Sequence, residues 1–384
     1  MRLARESLGR APRGAGASAS ILACVLAALW AALALLPATR NTFLTQGNIA
    51  MLLAQSAVLL VVAGGMTMVV LSRGIDLSVG ATVALTGTVA ALVHAKLGLP
   101  VPVAIAAALA CGAAIGAWHG GWIAWLGVPA FVVTLAGFKA YRGGALVLSH
   151  AQSLTMGDDF AFLNGRVPVA ATWTLVLAVL ACGLAITLRD ATRRRALGLE
   201  PLTTATVAIR AGGQVVLAAL VLAVFGGTGM PAVVLVAAAV ALAGVVVTSR
   251  TRFGRHLYAI GGNPEAAKLS GIDVRRATLA AYVIVGALAA VAGLLLAART
   301  NSVTPGSQGN LLELDAVTAV VIGGTSLSGG RGSVAGTVLG TLVFTTLANG
   351  MNLLAIDSNW QLVCTGTILL AAVLIDVVSK GKRS

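Results

Sequence analysis

Charge is scarce in this sequence. Only 10% of its 384 residues are charged, against about 25% in an ordinary soluble domain. That excludes a typical globular enzyme, and it equally excludes a disordered chain, which needs few apolar residues and much charge. Aromatic residues are only 4%, too few for the stacking surfaces on which single-stranded nucleic acid binds. The net charge of +14 therefore needs another explanation than nucleic acid, and no nucleic-acid partner is expected. The four cysteines, Cys24, Cys111, Cys182 and Cys364, each lie in an apolar stretch with no close pair. They read as small apolar side chains, and no metal site is expected because short paired ligand spacings are missing.

What the sequence does have is apolar length. Apolar residues make up 58%, and the mean hydropathy is +0.96. They recur in blocks near the roughly 20 residues that carry a helix across a bilayer. About twelve such blocks stand at roughly 21–38, 49–72, 79–95, 101–120, 122–138, 169–188, 213–227, 230–249, 277–298, 313–329, 333–354 and 360–378. The blocks at 122–138 and 313–329 are broken by glycine and could be re-entrant or half-length. The fold class is thus all-α, a polytopic transmembrane helical bundle of about 10–12 spans. It divides into an N-terminal tail 1–20, a membrane domain 21–378 with a loop at 250–276, and a C-terminal tail 379–384. The gaps at 139–168 and 189–212 read as loops. The 46 glycines suit helices packed closely in lipid.

The basic residues orient the bundle. They cluster before the first span, in 189–210, in 250–276 and at the C-terminus. With Arg73 and Arg331, these clusters put twenty of the 26 bases on one side under a twelve-span reading. The positive-inside bias makes that side cytoplasmic, with both termini on it.

Chemistry is hard to find. The phosphate-binding pattern G-x4-G-K-[ST] is absent, so the chain does not hydrolyse ATP by itself. Ser326 and Ser328 lie in a glycine-rich stretch, but none of His94, His119, His150 and His256 follows it to act as a base. The histidines read as structural, no catalytic residue is assigned and no cofactor is expected. Asp76, Glu313, Asp315, Asp357 and Asp376 read as lying near span ends, which leaves ion coupling open but unsupported.

One loop is unusual. From Asn263 to Gly271 it reads as a short helix with both ends marked. Asn263 can cap the first amides. Pro264 suits the first helical position. Glu265 and Lys268 complement the helix dipole at its two ends, and Gly271 can take the left-handed closing conformation. A helix over about 264–270 is too short to stand alone. Either it packs on its own bundle, or Ala266, Ala267 and Leu269 insert into a groove on a cytoplasmic partner.

The stretch Ala259–Ile272 resembles the coupling loop of permease subunits in bacterial ATP-binding-cassette importers for monosaccharides. Three further stretches match that family in order: Gly74-Ile75-Asp76-Leu77-Ser78-Val79-Gly80, Val128–Gly137, and Glu313–Ala316 running to Gly323–Gly330. The matches extend from about residue 49 to 376. Within the family the likeness is greatest to the D-xylose permeases, on the basic segment and extra span pair from Arg193 to about 249; ribose and galactose remain alternatives.

The resemblance implies a multi-pass protein of the bacterial inner membrane. It also implies a permease homodimer in lipid, cytoplasmic ATPase subunits and an extracytoplasmic sugar-binding protein. The helix of Asn263, Pro264, Glu265, Ala266, Ala267, Lys268, Leu269 and Gly271 would couple to the ATPase. Candidate path residues for a neutral sugar are Asp76, Ser78, Thr134, Arg142, Asn349 and Asn352, since hydroxyl, amide and charged groups can replace lost water contacts. Asp76 could instead cap the next helix, and Asn349 and Asn352 could hold helices together. The rivals are a self-powered secondary carrier and a membrane scaffold without transport.

Overall fold

The computed structural model describes residues 13–198 and 200–381. Residues 1–12 and 382–384, with the tail bases Arg2, Arg5, Arg10, Lys382 and Arg383, lie outside the described residues.

The described chain is built from helices. In order they are α1 (Arg13–Leu35), α2 (Gln46–Leu71), α3 (Val79–Ala91), α4 (Val101–Ala124), α5 (Ala130–Ser149), α6 (Ala161–Asn164), α7 (Val169–Ala196), α8 (Thr204–Phe225) and α9 (Ala232–Arg250). They continue as α10 (Arg252–Gly262), α11 (Pro264–Leu269), α12 (Val274–Thr300), α13 (Leu312–Ile322), α14 (Val334–Leu353) and α15 (Ser358–Gly381). A π-helical turn, Leu92–Lys96, prolongs α3. Two-residue strands β1 (Leu154–Thr155) and β2 (Ser302–Val303) pair antiparallel, Leu154 opposite Val303. Among the described residues, nine helices are long and apolar enough to cross a membrane, and shorter apolar helices occupy 20–35 and 358–374.

Local signals set the boundaries. Pro100, Pro129, Pro168 and Pro231 stand immediately before α4, α5, α7 and α9, where a fixed φ favours helix entry and a missing N–H costs nothing. Thr203, Thr251, Asp273 and Ser333 cap α8, α10, α12 and α14 through side-chain oxygens, satisfying orphan amides at the helix start.

The structure corrects several boundaries. The block at 122–138 is displaced: residues to 124 finish α4, and the span that follows runs from 130 to 149. The first third of the supposed loop 139–168 is therefore membrane helix, because Lys139 and Arg142 lie inside α5 rather than ending it. Likewise α7 carries Arg189 and Arg193–Arg195 as its own last turns, so the loop expected at 189–212 shrinks to 197–203. The block at 313–329 is half-length. Its helix α13 has 11 residues, about 16 Å at 1.5 Å per residue, roughly half the hydrocarbon thickness.

The other half of that span is irregular backbone. Residues 301–311 descend from the β1–β2 end into the bundle. Gln308 Nε2 donates to the carbonyl of Gly293, seven residues inside α12, and Arg142 Nη1 donates to the carbonyls of Pro305 (2.8 Å) and Gln308 (2.7 Å). Irregular backbone is tolerated at such depth only where protein satisfies it.

The bundle has a centre and a rim. Helices α2, α12, α13 and α14 supply most of the main buried cluster. In contrast, α7 and α8 are almost wholly exposed within the chain and staple chiefly to each other, through Trp173 Nε1 to Gly226 O (2.9 Å) and Gln214 Nε2 to Thr187 Oγ1 (3.1 Å). Hydroxyl and amide pairs join α2 to α14: Asn48 with Asn349, Ser56 with Thr345, and Thr67 with Thr337. Where α4 meets α12 the contact is backbone to backbone. A Cβ at Gly112, Gly116 or Gly120 would strike the backbone of Gly286, Tyr282 or Leu279, the close approach that small residues four apart allow in lipid.

Gly116→Val should therefore cost about 1–3 kcal/mol by overpacking. Gly121→Ala, on the open side of the same helix, should gain about 0.5–1 kcal/mol of helix stability. Thermal unfolding of the two variants in detergent should move in opposite directions.

Candidate functional site

Two places combine polar groups with unusual backbone. One is a junction at the base-rich end of the bundle, and the other is a polar core inside it.

The junction is built from α10, α11 and two glycine-rich turns. Helix α10 is amphipathic: Leu257 and Ile260 are buried, while Arg252 and Arg255 are exposed. It ends at Gly262, and α11 starts at once. Asn263 Oδ1 accepts from the amides of Glu265 (3.0 Å) and Ala266 (3.1 Å), and Gly271 closes the turn at φ +80°. Glu265, Ala266, Lys268 and Leu269 are exposed, Leu269 to 89%. Ala267 is not available to a partner. It is buried against Ile260 and Ala277 of its own chain, because on a single-turn helix the residue between the exposed positions must face the bundle.

The turn after α2 meets the end of α10. Arg73 Nε donates to the carbonyl of Gly261 (2.8 Å) and Nη2 to that of Gly262 (2.9 Å). Arg73 itself has φ +68°, a left-handed conformation that costs a non-glycine residue about 1–3 kcal/mol. The turn after α13 joins the same place. The amide of Gly330 donates to Leu71 O (2.9 Å), and Tyr258 OH donates to Gly332 O (2.9 Å). Burial pushes the Tyr258 phenol up from its usual range, which keeps it a donor. A Cβ on Gly261 would overlap Leu71 O and Gly330 N, so only glycine lets the three backbones meet.

The polar core begins three residues beyond Arg73. Asp76 Oδ1 accepts from the Ser78 amide (2.8 Å) and hydroxyl (2.7 Å), and its Oδ2 lies 3.7 Å from His119 Nδ1. His119 Nε2 is 2.9 Å from Tyr141 OH. The carbonyl of Ile75 accepts from Tyr282 OH (3.3 Å) and Thr134 Oγ1 (3.4 Å). Asp76, Ser78, His119 and Thr134 are all buried. The sequence had suggested Asp76, Ser78 and Thr134, and the structure brings them together. It adds His119, Tyr141 and Tyr282. His119 was read as structural; its position one residue before Gly120, in a stripe that packs on α12, was the available signal.

Further along α5, Arg142 binds the 305–308 turn, and Glu313 sits at the start of α13 against Gly80. Arg142 Nη2 and Glu313 Oε2 are buried without hydrogen-bond partners. Glu313 is thus not near a surface, as its place in the sequence suggested, because α13 begins inside the bundle. Asn349 and Asn352 do not join this core. Asn349 is paired with Asn48, and Asn352 Oδ1 accepts from Gln361 Nε2 of α15 at 2.9 Å; both are helix-to-helix contacts. Among the described residues no group of His, Cys, Asp and Glu could hold a metal ion.

Residues 48–373 match the family model described as branched-chain amino acid transport system / permease component. The chain belongs to this permease family. It is 39% identical over 367 residues to the xylose transport system permease protein XylH of Escherichia coli, covering 94% of this chain and 91% of that one. It is 38% identical to XylH of Haemophilus influenzae, covering 90% and 92%. It is also 38% identical to the ribose import permease protein RbsC of Bacillus subtilis, covering 87% and 86%. No solved structure matches. Within this family the four stretches that stood out in the sequence gain a common address. The 74–80, 128–137 and 259–272 stretches and the 313–330 stretch all border the junction or the core above it.

Asn263→Ala should remove two capping bonds and cost about 1 kcal/mol. Hydrogen exchange should show faster exchange of the Glu265 and Ala266 amides, with α10 and α12 unchanged.

Proposed function

We propose that the chain is the membrane-spanning, non-catalytic subunit of an ATP-driven sugar importer, with D-xylose as its cargo. One observation carries the reading: α11 is a rigid, doubly terminated helix whose outward residues, Leu269 above all, have no partner surface in their own chain. A large apolar side chain held rigidly in water beside charged neighbours fits a groove on another protein. Similarity to pentose permeases over nine-tenths of the chain supports the cargo.

In this reading the base-rich end is cytoplasmic, with both termini there, in a bacterial inner membrane. Two copies line one path, and an ATPase dimer docks on the α11 helices. A sugar-binding protein docks at the β1–β2 end and supplies the selectivity. ATP binding moves α11, and the bundle follows because the motor's states bind its two conformations unequally. Asp76, Ser78, Thr134 and Arg142 line the proposed route, where a neutral polyol needs hydrogen-bond exchange but no counter-charge. Asn349 and Asn352, engaged between helices, are withdrawn from that set.

Buried Glu313 and Asp76 are the observation that favours the rival, an ion-coupled carrier. Liposomes decide between them. The expected result is D-xylose uptake that needs ATP, the ATPase and the binding protein. Uptake driven by a proton or sodium gradient in the chain alone would establish the carrier instead.

Leu269→Asp tests the docking face. Losing a buried leucine is worth about 1.5–3 kcal/mol, so affinity for the ATPase should fall by about ten- to a hundredfold. The bundle should stay folded, since Leu269 is exposed. Ala267→Trp should instead displace α11 from Ile260 and Ala277 and lower the thermal stability of the free permease.

A further inference from the structure

Motion of α11 has to enter the membrane somewhere. Direct packing is slight: Ala267, a single methyl, is the buried residue of the helix. The polar connection of the α10–α11 unit is made by two side chains: Tyr258 donates from α10 to Gly332, and Arg73 reaches α10 from the turn after α2. Arg73 spans from the turn after α2 to the last two carbonyls of α10, those immediately before the Asn263 cap. These carbonyls carry the negative end of the α10 dipole, which an arginine complements. A planar guanidinium donating from two nitrogens fixes orientation as well as distance.

On its other side Arg73 is tied into the bundle within three residues. Ile75 takes bonds from Tyr282 on α12 and Thr134 on α5, and Asp76 faces His119 on α4. The turn is also hemmed in: a Cβ on Gly74 would meet Tyr282 OH and Val69, and one on Gly329 would meet Arg73. Glycine would be the relaxed residue at φ +68°, yet arginine occupies the position. A conformational cost retained at a residue whose side chain bridges two elements points to a function for that side chain.

Resting on the importer reading above, we propose that Arg73 is the positioning residue that transmits movement of the α10–α11 unit to α4, α5 and α12. It works as a strut: it touches neither sugar nor nucleotide, and its removal separates fuel consumption from movement of cargo.

The test uses the full chain reconstituted with its ATPase and sugar-binding protein in proteoliposomes, with radiolabelled D-xylose and phosphate release as the two readouts. Two variants are compared, Arg73→Gln and Arg73→Gly. The glycine variant removes the strut and relieves the left-handed strain together, so it should fold at least as well as the parent. The expected result for both is normal assembly with the ATPase and retained ATP hydrolysis. Uptake per ATP should fall by about 5- to 150-fold, the usual range of coupling between sites. Arg73→Lys, which keeps the charge but not the fork, should recover uptake only in part.

Uptake per ATP within twofold of the parent in both variants would overturn the proposal, as would loss of hydrolysis and uptake in equal proportion. If the parent chain itself fails to bind the ATPase or to take up D-xylose, the importer reading fails, a result separable from any variant effect.

Discussion

Inside a bilayer every peptide group must find its hydrogen-bond partner within the protein, and the rest of this structure follows from how that constraint is met where helices stop. Along α2, α12 or α14 the helix satisfies itself. At 72–78, 301–311 and 323–333 it does not, and side chains or neighbouring backbone take over. Arg142 holds the carbonyls of Pro305 and Gln308. Tyr282 and Thr134 hold Ile75. Gly330 donates to Leu71, and Arg73 holds the end of α10. Arg73, Asp76, Thr134 and Arg142 thus serve the stretches where backbone is irregular.

This accounts for what the sequence could and could not reveal. Helix entries at Pro100, Pro129, Pro168 and Pro231 and the caps at Asn263 and Ser333 are local chemistry, and local chemistry is readable from residue order. The left-handed turn at Gly271 belongs to the same class. Depth is not local. Arg142 reads as the start of a loop because an arginine in mid-membrane is costly; the carbonyls that offset the cost lie more than 160 residues away. Glu313 reads as a span end because its helix does begin there, but inside the bundle. Facing is also non-local: nothing in the order Glu-Ala-Ala-Lys-Leu tells which alanine meets Ile260 and Ala277.

Polar contacts divide into two kinds. Those between α2 and α14 are short, reciprocal pairs, hydroxyl with hydroxyl or amide with amide, and each pair leaves its helices in register. Such contacts resist change. The core around Asp76 is looser: the His119 contact is 3.7 Å, and His119 Nδ1 has no hydrogen-bond partner. A cluster joining α4, α5 and α12 through a turn, with unfilled hydrogen-bonding capacity, can exchange partners at low cost. A rigid pair of helices beside an adjustable set is the arrangement that one half of a bundle needs to move against the other.

In the importer reading, the junction is what would let a helix of six residues act on so large a bundle. A side chain free to change rotamer has slack, but Arg73 is held at both ends, its guanidinium on two carbonyls and its stem against Gly329. At Gly261 and Gly330 backbone lies directly on backbone, and at Gly329 it lies on the stem of Arg73. Packed interiors are bistable rather than elastic, and in the importer reading a joint of touching backbone and a pinned arginine would pass a shift of α10 to the turns after α2 and α13. Those two turns end the central helices, while the exposed hairpin α7–α8 is left out. In that reading the short lever would act on the part of the molecule with the most neighbours to carry along.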